Sequence, residues 1–285
     1  MRYELLGPLR VSNRRESHLL SAPKMEITLA VLLVGAGRIT TRDTLVRELW
    51  GERPPRRAAN VIQVYISRLR KFLAAAGADP ARAIVTKPTG YLLWLDGASY
   101  DVVEFQEAMR DGRAHRAAGR YEAALAAAEL ALSLVRGSVV ESEARGPVLT
   151  AFAVWAEEEL LAALELSVEA RTMLGQHREV ISLLGRLITQ YPLRESLYSQ
   201  LMLVLYRSGR RAEALAVYRD ARRVLRAELG LEPCRSLRRL HQAILTSDRL
   251  LDTSDRLLDT SDRLLDTSDR LLDTAGRLLD LPTAS

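Results

Sequence analysis

Between residues 56 and 71 the chain concentrates side chains that can read or grip a polyanion: Arg56, Arg57, Asn60, Gln63, Val64, Ser67, Arg68, Arg70 and Lys71. Lys87 and Thr89 follow in the stretch "TKPTG". Asn and Gln offer planar amides that can pair with adenine through two hydrogen bonds. Arg can do the same with guanine, or clamp a phosphate. This is recognition chemistry rather than catalysis. The sequence has no phosphate-cradling GxxxxGK[ST], no GxGxxG after a strand, no G-x-S-x-G elbow and no HExxH. His18, His115, His177 and His241 are dispersed. Glu157, Glu158, Glu159, Glu165 and Glu169 read as the solvated face of a helix, with no desolvating wall to make an acid/base pair of them. With the single Cys234, neither a disulfide framework nor a structural zinc site is expected. No enzyme activity, cofactor or metal is expected.

The elements that must position these residues follow from periodicity. "MRYELLGPLRV" alternates and is β-prone, predicting one or two short strands. A first helix opens at Pro23, with Met25, Leu29, Leu32 and Leu33 at helical spacing and Gly35 and Gly37 as stops. A second runs through "TTRDTLVRELWG", with Thr41 as N-cap, Leu45, Leu49 and Trp50 as its buried stripe and Gly51 as its end. After the Pro-broken basic loop "ERPPRRA", a long helix spans Ala58 to Ala76. Ile62, Tyr65 or Ile66, Leu69 and Leu73 form its core stripe, which leaves Asn60, Gln63, Val64, Ser67, Arg68, Arg70 and Lys71 over the remaining surface. "AIVTKPTGYLLWLD" reads as a β-hairpin turning at Lys87–Gly90. Strand, three helices and a hairpin, in that order, make a winged helix-turn-helix. An ordinary amphipathic surface helix would also place Arg and Lys in water; the surrounding basic domain, the Pro-Arg loop and the hairpin favour DNA.

Charge is distributed accordingly. Residues 1–97 hold 16 Lys and Arg against 8 Asp and Glu, residues 98–245 hold 20 against 19, and residues 246–285 hold 5 against 9. A locally basic domain is the footprint of a nucleic-acid binder. The absence of a long apolar run and of a signal-peptide pattern, together with one cysteine, predicts a cytoplasmic protein without membrane contact.

From Tyr100 to Leu245 the pattern is helical throughout. Gly119, Gly175 and Gly209 mark turns, Ala124, Val180 and Ala214 take a small contact position five residues on, and Ala128, Leu184 and Tyr218 come four later. This is the grammar of degenerate tetratricopeptide-like helix hairpins. The fold class expected is therefore mainly α: a winged helix-turn-helix (α+β) over 1–97, an all-α tetratricopeptide-like domain over 98–245 and a heptapeptide tail over 246–285.

"LWGERPPRRAANVIQVYISRLRKFL" and "TKPTGYLL" resemble the DNA-binding domain shared by response-regulator winged helices and, more narrowly, that of the Streptomyces antibiotic regulatory protein family. "GRYEAALAAAELALSLVRG", "YPLRESLYSQLMLVLYRSGRRAEALAVYRDARRVLRAELGLEP" and "LRRLHQAIL" resemble its bacterial transcriptional activation domain. The resemblance covers about residues 1–245 and implies a cytoplasmic transcriptional activator. The helix from Ala58 would enter the major groove, with Arg68 and Arg70 meeting DNA, and the hairpin at Lys87–Gly90 would touch the backbone or minor groove. Tyr91 would pack the wing onto the core. The loop from Trp50 to Arg57, chiefly Trp50, Gly51, Glu52 and Arg53, would face RNA polymerase. The family binds direct repeats near the −35 region of promoters of biosynthetic gene clusters, which implies a second protomer side by side on double-stranded DNA. Without a receiver or ATPase module, the chain reads as the small form of the family. Cys234 stands where the family more often has a small residue or Pro. A rival reading is a repeat scaffold that binds peptides, with an incidentally basic first domain; steep salt dependence would separate the two.

The tail repeats DRLLDTS three times unchanged from Asp248. Its leucines are adjacent rather than alternately three and four apart, so half of any coiled-coil seam would be Ser or Thr. A weakly helical or disordered appendage is expected, not a zipper.

Overall fold

The structure is a computed structural model and describes residues 1–13, 16–20, 22–137 and 146–246. The heptapeptide repeats, and the expectation placed on them, lie outside the described residues. The described residues form two compact units: Met1–Asp111 together with Ala127–Ala163, and Gly112–Ala126 together with the residues from Leu164 to Thr246.

The first unit begins with β1 (Arg2–Glu4) and β2 (Arg10–Ser12), the two strands the alternation allows, and adds β3 (Ser17–His18) after them. They join β7 (Ser99–Tyr100) in a sheet of order β3-β2-β1-β7, with β1 antiparallel to β2 and parallel to β7 (Tyr3 opposite Tyr100). Helix α1 (Pro23–Val34) has Pro at its start, where the missing N–H costs nothing, and buries Met25, Leu29, Leu32 and Leu33. Helix α2 (Arg42–Trp50) starts as expected: the Thr41 hydroxyl accepts the Thr44 N–H at 3.1 Å. Gly51 ends it at φ +59°. Its stripe differs from expectation, because Trp50 is only partly buried while Glu48 is 3% exposed. Helix α3 (Ala58–Ala75) and a single turn, α4 (Pro80–Ala83), follow.

The hairpin of β5 (Ile84–Thr86) and β6 (Gly90–Leu93) forms where expected. It recruits a strand not foreseen, β4 (Ile39–Thr41), into a sheet of order β4-β6-β5. Helices α1, α2 and α3 cover a core of Leu29, Leu32, Leu33, Leu45, Ile62, Ile66, Leu69, Leu73 and Leu93, all essentially inaccessible. Burying such side chains contributes about 1.5–3 kcal/mol each.

The helical run comprises α5 (Asp101–Ala117), α6 (Tyr121–Leu134), α7 (Pro147–Met173), α8 (His177–Gln190), α9 (Glu195–Arg207), α10 (Arg211–Leu229) and α11 (Arg235–Thr246). Gly119, Gly175 and Gly209 adopt φ of +69°, +77° and +74° at the turns. Ala124, Ala128, Val180, Leu184 and Ala214 are fully buried at the contact positions. Tyr218 is only partly buried and stacks on His241 with ring centroids 3.8 Å apart; Ala221 takes the fully buried place three residues on. In the second unit, α8 to α11 close around Val180, Leu184, Leu197, Met202, Leu237 and Ile244. The acidic face of α7 is less solvated than its composition suggests. Glu165 accepts the Ser196 hydroxyl at 2.7 Å and Glu169 accepts from Arg116 at 3.2 Å. Glu157 alone of the five is exposed.

Candidate nucleic-acid interface

Helix α3 sorts its residues cleanly. Ile62, Ile66, Leu69 and Leu73 turn into the core, so Ile66 and not Tyr65 completes the stripe. Asn60, Gln63, Val64, Ser67, Arg68 and Lys71 are exposed, and Val64 is 47% accessible despite being apolar. Among the described residues, none of the side chains of Asn60, Gln63, Ser67, Arg68 or Lys71 has a hydrogen-bond or ion-pair partner. Polar groups that could be satisfied locally but instead stand free on one helix face are available to base edges and phosphates. The helix start adds to this: Arg56 and Arg57 are exposed just ahead of it, and its first turn contains no acidic residue.

Arg70 stands apart from the others. Its guanidinium donates to the Ile84 carbonyl from Nε at 3.0 Å and Nη2 at 2.8 Å, and to Thr86 Oγ1 at 2.8 Å. It is partly buried and braces β5 instead of facing outward with Arg68. Two residues on a helix lie about 200° apart, which puts Arg68 and Arg70 on different sides.

The wing is held equally firmly on its other edge. Gly90 pairs with Thr41, and a Cβ there would sit 2.0 Å from the Thr40 carbonyl oxygen, so only Gly lets β4 and β6 approach. Arg42 donates to the Pro88 carbonyl at 2.9 Å and lies 5.9 Å from the ring of Tyr91, which is buried as expected. The hairpin tip thus presents exposed Thr89 and partly buried Lys87 on a fixed turn. In the loop after α2, Gly51, Glu52 and Arg53 are exposed, while Trp50 is partly covered by Lys24, whose Nζ lies 4.7 Å from the indole centroid.

The model of the family "Transcriptional regulatory protein, C terminal" matches residues 16–93, and that of the "Bacterial transcriptional activator domain" matches residues 100–245. The regulatory protein DnrI of Streptomyces peucetius is 34% identical over 259 residues, spanning 88% of this chain and 94% of that protein. This chain belongs to the Streptomyces antibiotic regulatory protein family. The regulatory protein AfsR of Streptomyces coelicolor is 38% identical over 252 residues, but the chain spans only 25% of its length. The structure of Mycobacterium tuberculosis EmbR in complex with a low affinity phosphopeptide superposes with a TM-score of 0.85 at 31% identity, over 95% of this chain and 70% of that one. The family is one of DNA-binding transcriptional activators, and the winged helix with a helical activator domain found here is its architecture.

Two carboxylates that support this family architecture were not singled out from the sequence. Glu48 on α2 accepts the backbone N–H groups of Val148 and Leu149, both at 2.9 Å, in the first turn of α7. It satisfies two helix-end donors and places negative charge at the positive end of that helix. Asp101, 1% exposed at the start of α5, accepts from the N–H of Leu5 at 2.9 and 2.8 Å and of Leu6 at 2.9 Å, with Arg136 at 3.8 Å. Burial outweighs these partners and raises its carboxyl to about pKa 6. A signal existed for Glu48: it lies three residues after Leu45 and next to Leu49, inside the apolar arc. Among the described residues no helix is long and apolar enough to cross a membrane.

Proposed function

We propose that this protein is a sequence-specific activator of a secondary-metabolite (antibiotic) biosynthetic gene cluster, with residues 1–97 as its DNA-binding domain and residues 98–245 as its activation domain. The observation that carries the reading is the free polar face of α3: Asn60, Gln63, Ser67 and Arg68 exposed and unpartnered above a fully buried stripe. In the major groove, the amides of Asn60 and Gln63 pair with adenine edges, Arg68 takes guanine or phosphate, and Ser67, Val64 and Lys71 complete the contact. Arg56 and Arg57 reach phosphates at the helix start; Lys87 and Thr89 hold the backbone from the wing. Arg70 serves by fixing the wing to α3.

Head-to-tail placement of two protomers suits direct repeats near the −35 region, as a two-fold dimer suits a palindrome. The exposed loop at Gly51, Glu52 and Arg53, with Trp50 at its base, then faces RNA polymerase. Membership of the Streptomyces antibiotic regulatory protein family, with DnrI alike over 94% of its length, supports the biosynthetic assignment. Footprinting the purified chain on promoters neighbouring its own gene tests the reading: tandem protected half-sites are expected. An inverted repeat, or no protection, refutes it.

A further inference from the structure

The near-neutral total of residues 98–245 conceals a second division of charge. Residues 98–206 hold 10 Arg against 15 acidic residues, whereas residues 207–245 hold 10 Arg against only 4. The excess gathers on α10. Arg219, Arg222, Arg223 and Arg226 are all exposed, and with Ala227 they line an open groove of about 550 Å³. Spacings of three and four residues align them along one side of the helix, over about 10 Å from first to last. On α11, Arg235, Arg238 and Arg239 are exposed as well.

The carboxylates nearby are too few and too wet to neutralise this row. Glu232 accepts from Arg222 at 2.7 and 3.1 Å and pairs with Arg226 at 3.0 Å; Asp220 accepts from Arg223 at 2.7 Å. The stretch has two further acidic residues: Glu213, which pairs with Arg210, and Glu228. Arg219 has no partner among the described residues. Glu232 itself is held below the usual carboxylate range, first by its bond from Arg222 and also by the charges of Arg222, Arg226 and Arg238. Each of these pairs is exposed on both sides, with side-chain accessibilities between 44% and 73%, so each is weak and exchangeable for a better anion.

We propose that the arginine row of α10 is a second DNA contact, binding the phosphodiester backbone without regard to base sequence. Planar guanidinium groups grip phosphate oxygens through paired hydrogen bonds. A straight row of them matches a repeating backbone charge. The inference rests on the chain being a DNA binder, and it adds a contact made by the helical region.

The test uses the full chain, a duplex carrying the footprinted site and a mixed-sequence duplex of equal length. Affinity for both is measured by fluorescence anisotropy between 50 and 300 mM NaCl. Arg219→Gln, Arg223→Gln and Arg226→Gln together are expected to lower the slope of log K against log salt by about 2 to 3 on both duplexes, at about 0.9 per phosphate lost. The ratio between the duplexes should stay unchanged. The corresponding triple Lys variant should keep the slope. An unchanged slope in the folded Gln variant overturns the proposal, as does displacement of the mixed duplex by polyglutamate at equal charge, which would assign the row to an acidic protein. Failure of the function reading looks different: the wild-type chain would then show no preference between the duplexes.

Discussion

Arg70 reaches from α3 to the wing and donates twice to the carbonyl oxygen of Ile84, from Nε at 3.0 Å and from Nη2 at 2.8 Å. A third bond, to Thr86 Oγ1, fixes the plane of the guanidinium. The helix that presents Arg68 and the hairpin that presents Lys87 and Thr89 are thereby joined through one side chain. On the proposed function both surfaces meet one duplex, and they would gain from being held at a fixed separation, because the ordering cost is met in folding and not on binding.

Arg70→Ala and Arg68→Ala should therefore differ in kind. Loss of charged donors to a buried carbonyl is expected to cost Arg70→Ala about 1–2 kcal/mol of stability and to weaken binding evenly across promoter sequences. Arg68→Ala, on an exposed and unpartnered side chain, should leave stability within about 0.5 kcal/mol while binding falls. Urea unfolding and anisotropy titrations of both variants separate these outcomes; equal stability loss in the two would contradict the assignment.

Glu48 gives a second stability prediction. Its two oxygens serve two N–H groups at the start of α7, and it is 3% exposed. Glu48→Ala strands both donors and should cost about 2–4 kcal/mol; Glu48→Gln keeps one acceptor and should cost about 1–2 kcal/mol. The denaturant midpoint should shift with the slope unchanged. Gly146 belongs to the same joint, since a Cβ there would lie 2.6 Å from Glu48, so Gly146→Ala should also destabilise.

Much of this fold could be read from local pattern, and what escaped is non-local. The periodicity of Ile62, Leu69 and Leu73, the Thr41 cap and the glycine turns are each decided within a few residues, so the sequence alone exposes them. Strand β4 escaped because three residues, Ile39–Thr41, acquire strand character only by pairing with Gly90–Leu92. Strand β7 escaped because its partner β1 lies at the other end of the unit in sequence. Asp101 resembles a solvated carboxylate, and Glu48, although inside the apolar arc, has no visible partner, until the backbone donors that they serve, about a hundred residues away, are known. Arg70 was grouped with Arg68 by residue type, whereas the helix angle separates them. The free face of α3 was legible because it is what the apolar stripe leaves over.

Asp101 predicts a pH dependence. Its folded pKa of about 6 lies above the ordinary carboxylate value, so the native state binds this proton more tightly than the unfolded chain does. The stability it contributes is full below pH 4, falls as pH rises through 6 and is flat above; the step is about 3 kcal/mol at most. Subtracting the unfolding free energies of Asp101→Asn from those of wild type between pH 4 and 8 isolates the step from other carboxylates. A flat difference would mean that the Leu5 and Leu6 N–H groups offset the burial after all.

The arrangement on DNA gives the last prediction. If two protomers bind head-to-tail on direct repeats, each must meet its half-site from the same side of the duplex to touch the other. One helical turn is 10–10.5 base pairs, so inserting five base pairs between repeats rotates one protomer to the opposite side, whereas inserting ten restores the side and lengthens the gap. Cooperative occupancy should be lost with five added base pairs and partly regained with ten, while the affinity of each isolated half-site stays constant, because the α3 face that reads it is unaltered. A footprint titration of the three templates checks this. If each protomer binds as an independent unit, all three templates will give the same curve; a two-fold dimer would instead lose affinity at direct repeats and recover it when one half-site is inverted.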